Sequence, residues 1–74
     1  MQLSKAAFWD VNLDDLDNHK NASFIITRVF QYGSLNDIRQ VIKYYTAGEI
    51  STAFTTTRSV DQKAISLAHV LGYI

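Results

Sequence analysis

The stretch GSLNDIRQVIKYYTAGE, residues 33–49, contains two signals that begin an α-helix. In Ser34-x-x-Asp37 and in Thr46-x-x-Glu49, the hydroxyl can accept a hydrogen bond from an amide of the first helical turn. The acidic side chain three residues later can reach back to the amide of the Ser or Thr, which completes a capping box. The two boxes therefore predict one helix that begins after Ser34 and another that begins after Thr46.

Apolar residues at helical spacing extend the pattern in both directions along the chain. A stripe before the first box, at spacings of three and four residues, predicts a helix that ends at Gly33, with Gly33 in the left-handed conformation that often closes a helix. A third spacing of the same kind, Ser59-x-x-Gln62, predicts the start of a last helix. On the second helix, the apolar pattern predicts that Leu35 is buried.

These elements predict an all-α fold. Four helices joined by very short turns favour a compact orthogonal bundle over a long parallel one. Asn12 is expected to cap a short acidic turn, and we expect one domain over residues 1–74, in which residues 1–20 form an N-terminal arm and this turn packed on the bundle. The predicted helices are about 21–32, 35–45, 47–56 and 60–71.

Composition limits the class of protein. The chain has 74 residues, 47% of them hydrophobic, and no cysteine. A domain of this size can form one core but not a deep catalytic cleft, and it must be stabilised by packing without disulfides. Because the first ten residues lack the apolar run of a signal peptide and no stretch reaches about 20 apolar residues, we expect a cytoplasmic protein that does not enter the membrane.

Charge is balanced overall but unevenly distributed. The net charge is zero, which argues against a dedicated nucleic-acid binder. Residues 1–19 carry −3, from Lys5 and four aspartates, and residues 20–74 carry +3. Either the acidic start lies across the basic body and is partly neutralised by it, or a basic face is left free for an acidic partner.

The sequence offers no constellation that would carry catalysis. His19 and His69 are far apart in sequence, and neither has a partner at metal-ligand spacing. Nothing places a base beside a nucleophile, and a glycine-rich phosphate loop is missing from the sequence. We therefore predict that the protein is not an enzyme and needs neither a cofactor nor a metal.

Aromatic pairs give the clearest candidates for an interaction surface. Phe8-Trp9 precedes the acidic turn, and two interpretations stay open: the rings plug the core, or they anchor a partner. For Tyr44-Tyr45, adjacent helical positions differ by about 100°, so one ring is expected inside and its neighbour outside. The predicted partner-binding residues are Trp9, Tyr44, Arg39 and Lys43, and a homodimer stays open.

DNA binding is the alternative function. The last three helices could form a helix-turn-helix unit in which the final helix enters the major groove. Its exposed face would present polar side chains that can contact base edges. Against this, Asp61 lies at the end where phosphates would approach. The candidate DNA-binding residues are Arg58, Gln62, Lys63, Ser66 and His69.

Arg28 occupies an unusual position on the first predicted helix. It lies between the apolar Ile25 and Val29, at the edge of the buried stripe, so its guanidinium needs an acceptor or a path to water. The acidic side chains nearest in sequence are the aspartates of the N-terminal segment, residues 1–19. We predict that Arg28 ties this segment to the helices and that Asp10, next to Phe8-Trp9, is its partner.

The order of motifs resembles a family of short bacterial domains of unknown function. The motifs that carry the resemblance are Phe8-Trp9-Asp10-Val11, Phe24-Ile25-Ile26-Thr27-Arg28-Val29, Tyr32-Gly33 and Arg58-Ser59-Val60, which together span about residues 8–72. The last motif departs from the "SR-x-LS-x-KT" pattern of the family because residues 57–64 lack the Leu-Ser pair.

The resemblance implies a role but no site. Such domains are often encoded beside a nucleotidyltransferase toxin of the AbiEii class. It therefore implies an antitoxin-like or accessory partner in a toxin–antitoxin or phage-defence pair. The resemblance implies no catalytic residues for this chain. Folding explains equally well why certain positions recur in the family, namely Trp9, Asp10, Phe24, Arg28 and Gly33.

Overall fold

The computed structural model describes residues 3–57 and 60–74, and within these ranges it is an all-α bundle without strands. Two short 3-10 helices come first, Lys5–Phe8 and Leu13–Asp15, and four α-helices follow. The all-α prediction is confirmed, and the first three helices end within about one residue of the predicted bounds, which is the usual uncertainty of helix ends. The α-helices are α1 (Ala22–Tyr32), α2 (Leu35–Tyr44), α3 (Ala47–Thr56) and α4 (Gln62–Val70).

Both capping boxes of the central stretch are present. The Ser34 hydroxyl accepts from the Asp37 amide at 3.2 Å, and Asp37 Oδ2 accepts from the Ser34 amide at 2.9 Å. Thr46 and Glu49 make the same reciprocal pair at 3.1 and 2.9 Å. Asn12 also caps the second 3-10 helix as predicted, accepting from the Asp14 amide at 3.0 Å. Local cap chemistry therefore sets these starts.

Helix α4 begins at Gln62, two residues after the predicted start at about residue 60. Ser59 lies outside the described residues, and the N-cap is Asp61, whose side chain accepts from the Lys63 amide at 2.9 Å. Gln31 on α1 supports this cap, because its Oε1 accepts from the Asp61 amide at 3.1 Å. In a capping box, the side chain three residues after the cap would accept from this amide; here a side chain of another helix accepts from it. At the other end Gly72 has φ +87°, the left-handed conformation that glycine adopts at low cost.

Gly33 ends α1 for a different reason from the one predicted. Its φ of −77° and ψ of 164° are extended, not left-handed. A Cβ at this position would lie 2.6 Å from the carbonyl oxygen of Val29 and 3.1 Å from Cβ of Asp37. Glycine is therefore favoured here because a side chain has no room between the last turn of α1 and the Asp37 side chain, not because of a positive φ.

Helix α1 is the centre of the core. It packs against α2, α3, α4 and the first 3-10 helix, most extensively against α3. The prediction that Leu35 is buried is wrong, because 76% of it is exposed at the first turn of α2. The buried apolar residues are Ala7, Phe8, Ile25, Ile26, Val29, Phe30, Ile38, Val41, Tyr45, Ile50, Ala53, Ala64 and Ala68.

The arm is attached to the bundle through a buried carboxylate. Asp37 is 2% exposed, and its Oδ1 accepts from the Ser4 amide at 2.8 Å while Oδ2 caps α2. One side chain therefore fixes both the start of α2 and the start of the first 3-10 helix. The described helices include none long and apolar enough to cross a membrane.

Tyr45 holds the end of the acidic turn. The ring is buried, and its hydroxyl donates to the carbonyl oxygen of Asn18 at 2.8 Å. Burial raises the pKa of the phenol to about 12, and the charges of Tyr44, Glu49 and Asp17 act in the same direction. The prediction of one tyrosine inside and one outside is confirmed, because Tyr44 is exposed.

The raised pKa of Tyr45 predicts a loss of stability in alkali. Between pH 10.0 and about 12 the unfolded chain loses this proton while the folded chain keeps it, so the free energy of unfolding falls as pH rises. Below pH 10.0 the group has no such effect. Urea unfolding across this range should show Tyr45→Phe, which cannot titrate, less stable than wild type by about 1 kcal/mol at pH 8. That difference should shrink above pH 10.0. A pH-independent difference would contradict the prediction.

Candidate functional site

Phe8 and Trp9 have opposite environments, which settles the choice left open by the sequence. The 3-10 helix Lys5–Phe8, capped by Ser4, turns Phe8 inward, where 3% of it is exposed. Trp9 follows as the C-cap of that helix, and 64% of it is exposed. Phe8 is therefore part of the core, and Trp9 is free to act as an anchor.

Trp9 belongs to an aromatic–arginine cluster, which consists of Trp9, Phe24, Arg28 and Tyr32. The last three are spaced by four residues along α1, so they share one helix face. The Arg28 guanidinium carbon lies 4.6 Å from the ring centre of Trp9, 5.1 Å from that of Phe24 and 5.6 Å from that of Tyr32. Trp9 and Tyr32 pack edge to face with ring centres 5.1 Å apart.

Asp10 completes the cluster, as the sequence predicts. Nη2 of Arg28 lies 2.7 Å from both Oδ1 and Oδ2 of Asp10. The Arg28 side chain is 11% exposed and the Asp10 side chain 48% exposed, so the pair is half-buried. Within the described residues this is the one ion pair between side chains. The cation is held both by a carboxylate and by aromatic faces, which fixes the rings around it.

The Asp10–Arg28 pair should contribute more than a surface salt bridge. In a double-mutant cycle on Asp10→Asn and Arg28→Gln, we expect a coupling free energy of about 1–2 kcal/mol, because partial burial strengthens a charged hydrogen bond. Asp15→Asn with Arg28→Gln is the matched control, since Asp15 is an exposed aspartate in the same segment. Urea unfolding of each variant gives the coupling. Additive effects in the first cycle would rule the pair out as the tie.

The other predicted partner-binding residues, Tyr44, Arg39 and Lys43, all lie on α2. Tyr44 contacts His19 at 6.5 Å between ring centres and accepts from Asn18 Nδ2 at 3.4 Å. Arg39 and Lys43 are exposed on the outer face of α2. The ring of Trp9 packs against Tyr32, whereas the ring of Tyr44 packs against His19 and Tyr45.

The candidate DNA-binding residues have a mixed outcome. Gln62, Lys63, Ser66 and His69 are exposed on α4, and Arg58 lies outside the described residues. His69 Nδ1 is 3.1 Å from the carbonyl oxygen of Ile74. Asp61 places a carboxylate at the N-terminus of α4. The helix end that would approach phosphates therefore carries a negative charge.

Sequence reasoning missed Phe24 and Tyr32 as site residues. Their spacing of four residues on either side of Arg28 was the available signal, since it places all three on one face of a helix. The apolar stripe predicts only the buried side of α1, and Phe24 and Tyr32 lie at its edge with Arg28. Across the described residues, no three acidic or histidine side chains lie close enough together to hold a metal ion.

A model of a family of unknown function, DUF6922, matches residues 3–54 of the chain. The chain belongs to this family. The part that matches DUF6922 contains the whole aromatic–arginine cluster together with Asp10 and Asp37, whereas α4 lies beyond it. No curated protein matches the chain, and no solved structure matches it.

Proposed function

We propose that this DUF6922 chain is a non-enzymatic protein-interaction module whose partner packs on the aromatic–arginine cluster. The observation that carries the proposal is the exposure of Trp9, 64%, beside Tyr32, 53%. Trp, Tyr and Arg are the residues most enriched among the hot spots of protein interfaces. Here one of each lies in a single cluster, and two of the three are open to solvent.

The cluster is also held in place before any partner arrives. Arg28 is fixed by Asp10 and by the three rings around it. Side chains that are already ordered lose little conformational entropy on binding, so more of the contact energy is available as affinity. This supports the use of the cluster as an anchor rather than as a mobile surface.

The finer proposal concerns the partner. The order of motifs over about residues 8–72 resembles that of domains encoded beside nucleotidyltransferase toxins of the AbiEii class. On that basis we propose an antitoxin-like or accessory role in a toxin–antitoxin or phage-defence pair, acting in the cytoplasm.

Truncation of the Trp9 side chain should weaken binding of the partner. We expect Trp9→Ala to lower the amount of co-purified partner by on the order of tenfold or more, because a central Trp is worth that much at an interface. The experiment is affinity purification of the full chain from its native host, followed by quantitative mass spectrometry. Val70→Ala is the matched control, an exposed apolar truncation on α4.

Tyr44→Ala separates the two surfaces in the same experiment. If partner recovery falls with Tyr44→Ala and not with Trp9→Ala, the cluster is the wrong surface. Circular dichroism of each variant checks that the helices remain. Duplex DNA is titrated in parallel: tight binding that weakens steeply between about 50 and 200 mM salt and is reduced by Lys63→Ala would instead favour a helix-turn-helix regulator.

A further inference from the structure

A groove of about 630 Å³ lies beside Trp9, between the N-terminal segment and α1. The nearly buried side chains of Phe8 and Ile25 form its floor. The groove is lined by one exposed carboxylate, Asp14, and one exposed cation, Lys5, and it adjoins the aromatic–arginine cluster through the exposed Trp9. Its remaining apolar lining is Leu3, Val11, Leu13 and Leu16.

The surface around the groove is acidic. Asp14 lines the groove, and Asp10, Asp15 and Asp17 are exposed next to lining residues in the sequence. Lys5, which also lines the groove, is the single cation of residues 3–19. With Lys5 and Arg28 set against the four aspartates, this surface keeps a net charge of −2. Asp17 is held in its turn by the amides of Lys20 and His19, which lower its pKa, so it stays charged.

We infer that the partner presents a positively charged amphipathic segment to this surface. An apolar side chain of the segment enters the groove against Trp9, and a Lys or Arg beside it pairs with Asp14. The exposed face of Trp9 adds a second site for a cation. This inference rests on the proposed function and names the chemistry of the partner. Charge complementarity is its basis: an acidic segment or a nucleic-acid backbone would be repelled by the same aspartates.

The chain contains one tryptophan, so its fluorescence reports on this surface directly. The probe is a short amphipathic peptide of Lys, Leu and Ala, without aromatic residues. A second peptide replaces each Lys by Glu, and a third keeps Lys and replaces each Leu by Ser. We expect the first peptide to shift the Trp9 emission to the blue and to saturate. The Glu peptide should have no effect, and the Ser peptide should bind more weakly.

Two aspartates of the same 3-10 helix give a matched pair of variants. Asp14 lines the groove and Asp15 does not, and neither carboxylate accepts a hydrogen bond within the described residues. Asp14→Asn should therefore keep the fold and weaken the Lys–Leu peptide about fivefold, whereas Asp15→Asn should weaken it less than about twofold. Circular dichroism confirms that both variants remain helical.

Each outcome decides for or against the inference. Equal binding of the Glu peptide, equal effects of the two variants, or no response to the Lys–Leu peptide would overturn it. A blue shift that depends on protein concentration alone, with a dimer in sedimentation, would mean that a second copy fills the groove. If Trp9→Ala loses the native partner but the peptides show no preference for positive charge, the proposed function stands and this inference fails.

Discussion

Asp37→Ala should lower the free energy of unfolding by about 3–5 kcal/mol, since each hydrogen bond to a charged group contributes about 1.5–3 kcal/mol. The substitution leaves the Ser4 and Ser34 amides without the acceptors that now lie at 2.8 and 2.9 Å. Both amides are partly buried, so water replaces the carboxylate only in part. A core in a domain below about 70–80 residues rarely supplies more than about 3–5 kcal/mol, so the variant should be largely unfolded at 25 °C.

Two further variants separate the contributions of Asp37. Ser34→Ala removes the other half of the capping box and should cost only about 1 kcal/mol. Asp37→Asn keeps one acceptor oxygen and places an amide nitrogen against an N–H donor, so its cost should lie between the two. Urea unfolding followed by circular dichroism measures all three. A loss for Asp37→Ala no larger than that for Ser34→Ala would mean that the bond to Ser4 contributes nothing.

The helix starts that the sequence predicted correctly are those set by local chemistry. At Ser34 and Thr46 the donor, the acceptor and the first turn all lie within four residues, so the spacing alone identifies them. The cap of α4 lies two residues beyond the one that the sequence predicts. Asp61 is supported by the side chain of Gln31, thirty residues away in sequence, and no local pattern reports such a contact.

In the candidate site, too, one feature could be predicted from the sequence and another could not. The pairing of Arg28 with Asp10 could be predicted, because a cation at the edge of an apolar stripe needs an acceptor and the acids are concentrated in one segment. The division between Phe8 and Trp9 could not. Adjacent residues in a 3-10 turn point in different directions, and the register of the arm is set by the bond from Ser4 to Asp37.

Gly33→Ala should lower the free energy of unfolding by about 1–3 kcal/mol, the usual cost of forcing extra volume into a well-packed site. The added Cβ would lie 2.6 Å from the Val29 carbonyl oxygen and 3.0 Å from Val29 Cγ1. The carbonyl belongs to the backbone and already accepts from the Gly33 amide at 2.8 Å, so it cannot move without weakening the end of α1. The third neighbour, Asp37 Cβ at 3.1 Å, carries the carboxylate that holds the arm.

Gly48→Ala is the matched control, because it makes the same chemical change without the clash. Gly48 lies in the first turn of α3, where a Cβ would meet only the Thr46 hydroxyl at 3.9 Å. Alanine favours the helix over glycine, so this variant should be stabilised by up to about 1 kcal/mol. Urea unfolding should therefore give changes of opposite sign for the two substitutions. If Gly33→Ala also stabilises the protein, the α1–α2 turn has room for a methyl group, and glycine is there for its flexibility rather than for close packing.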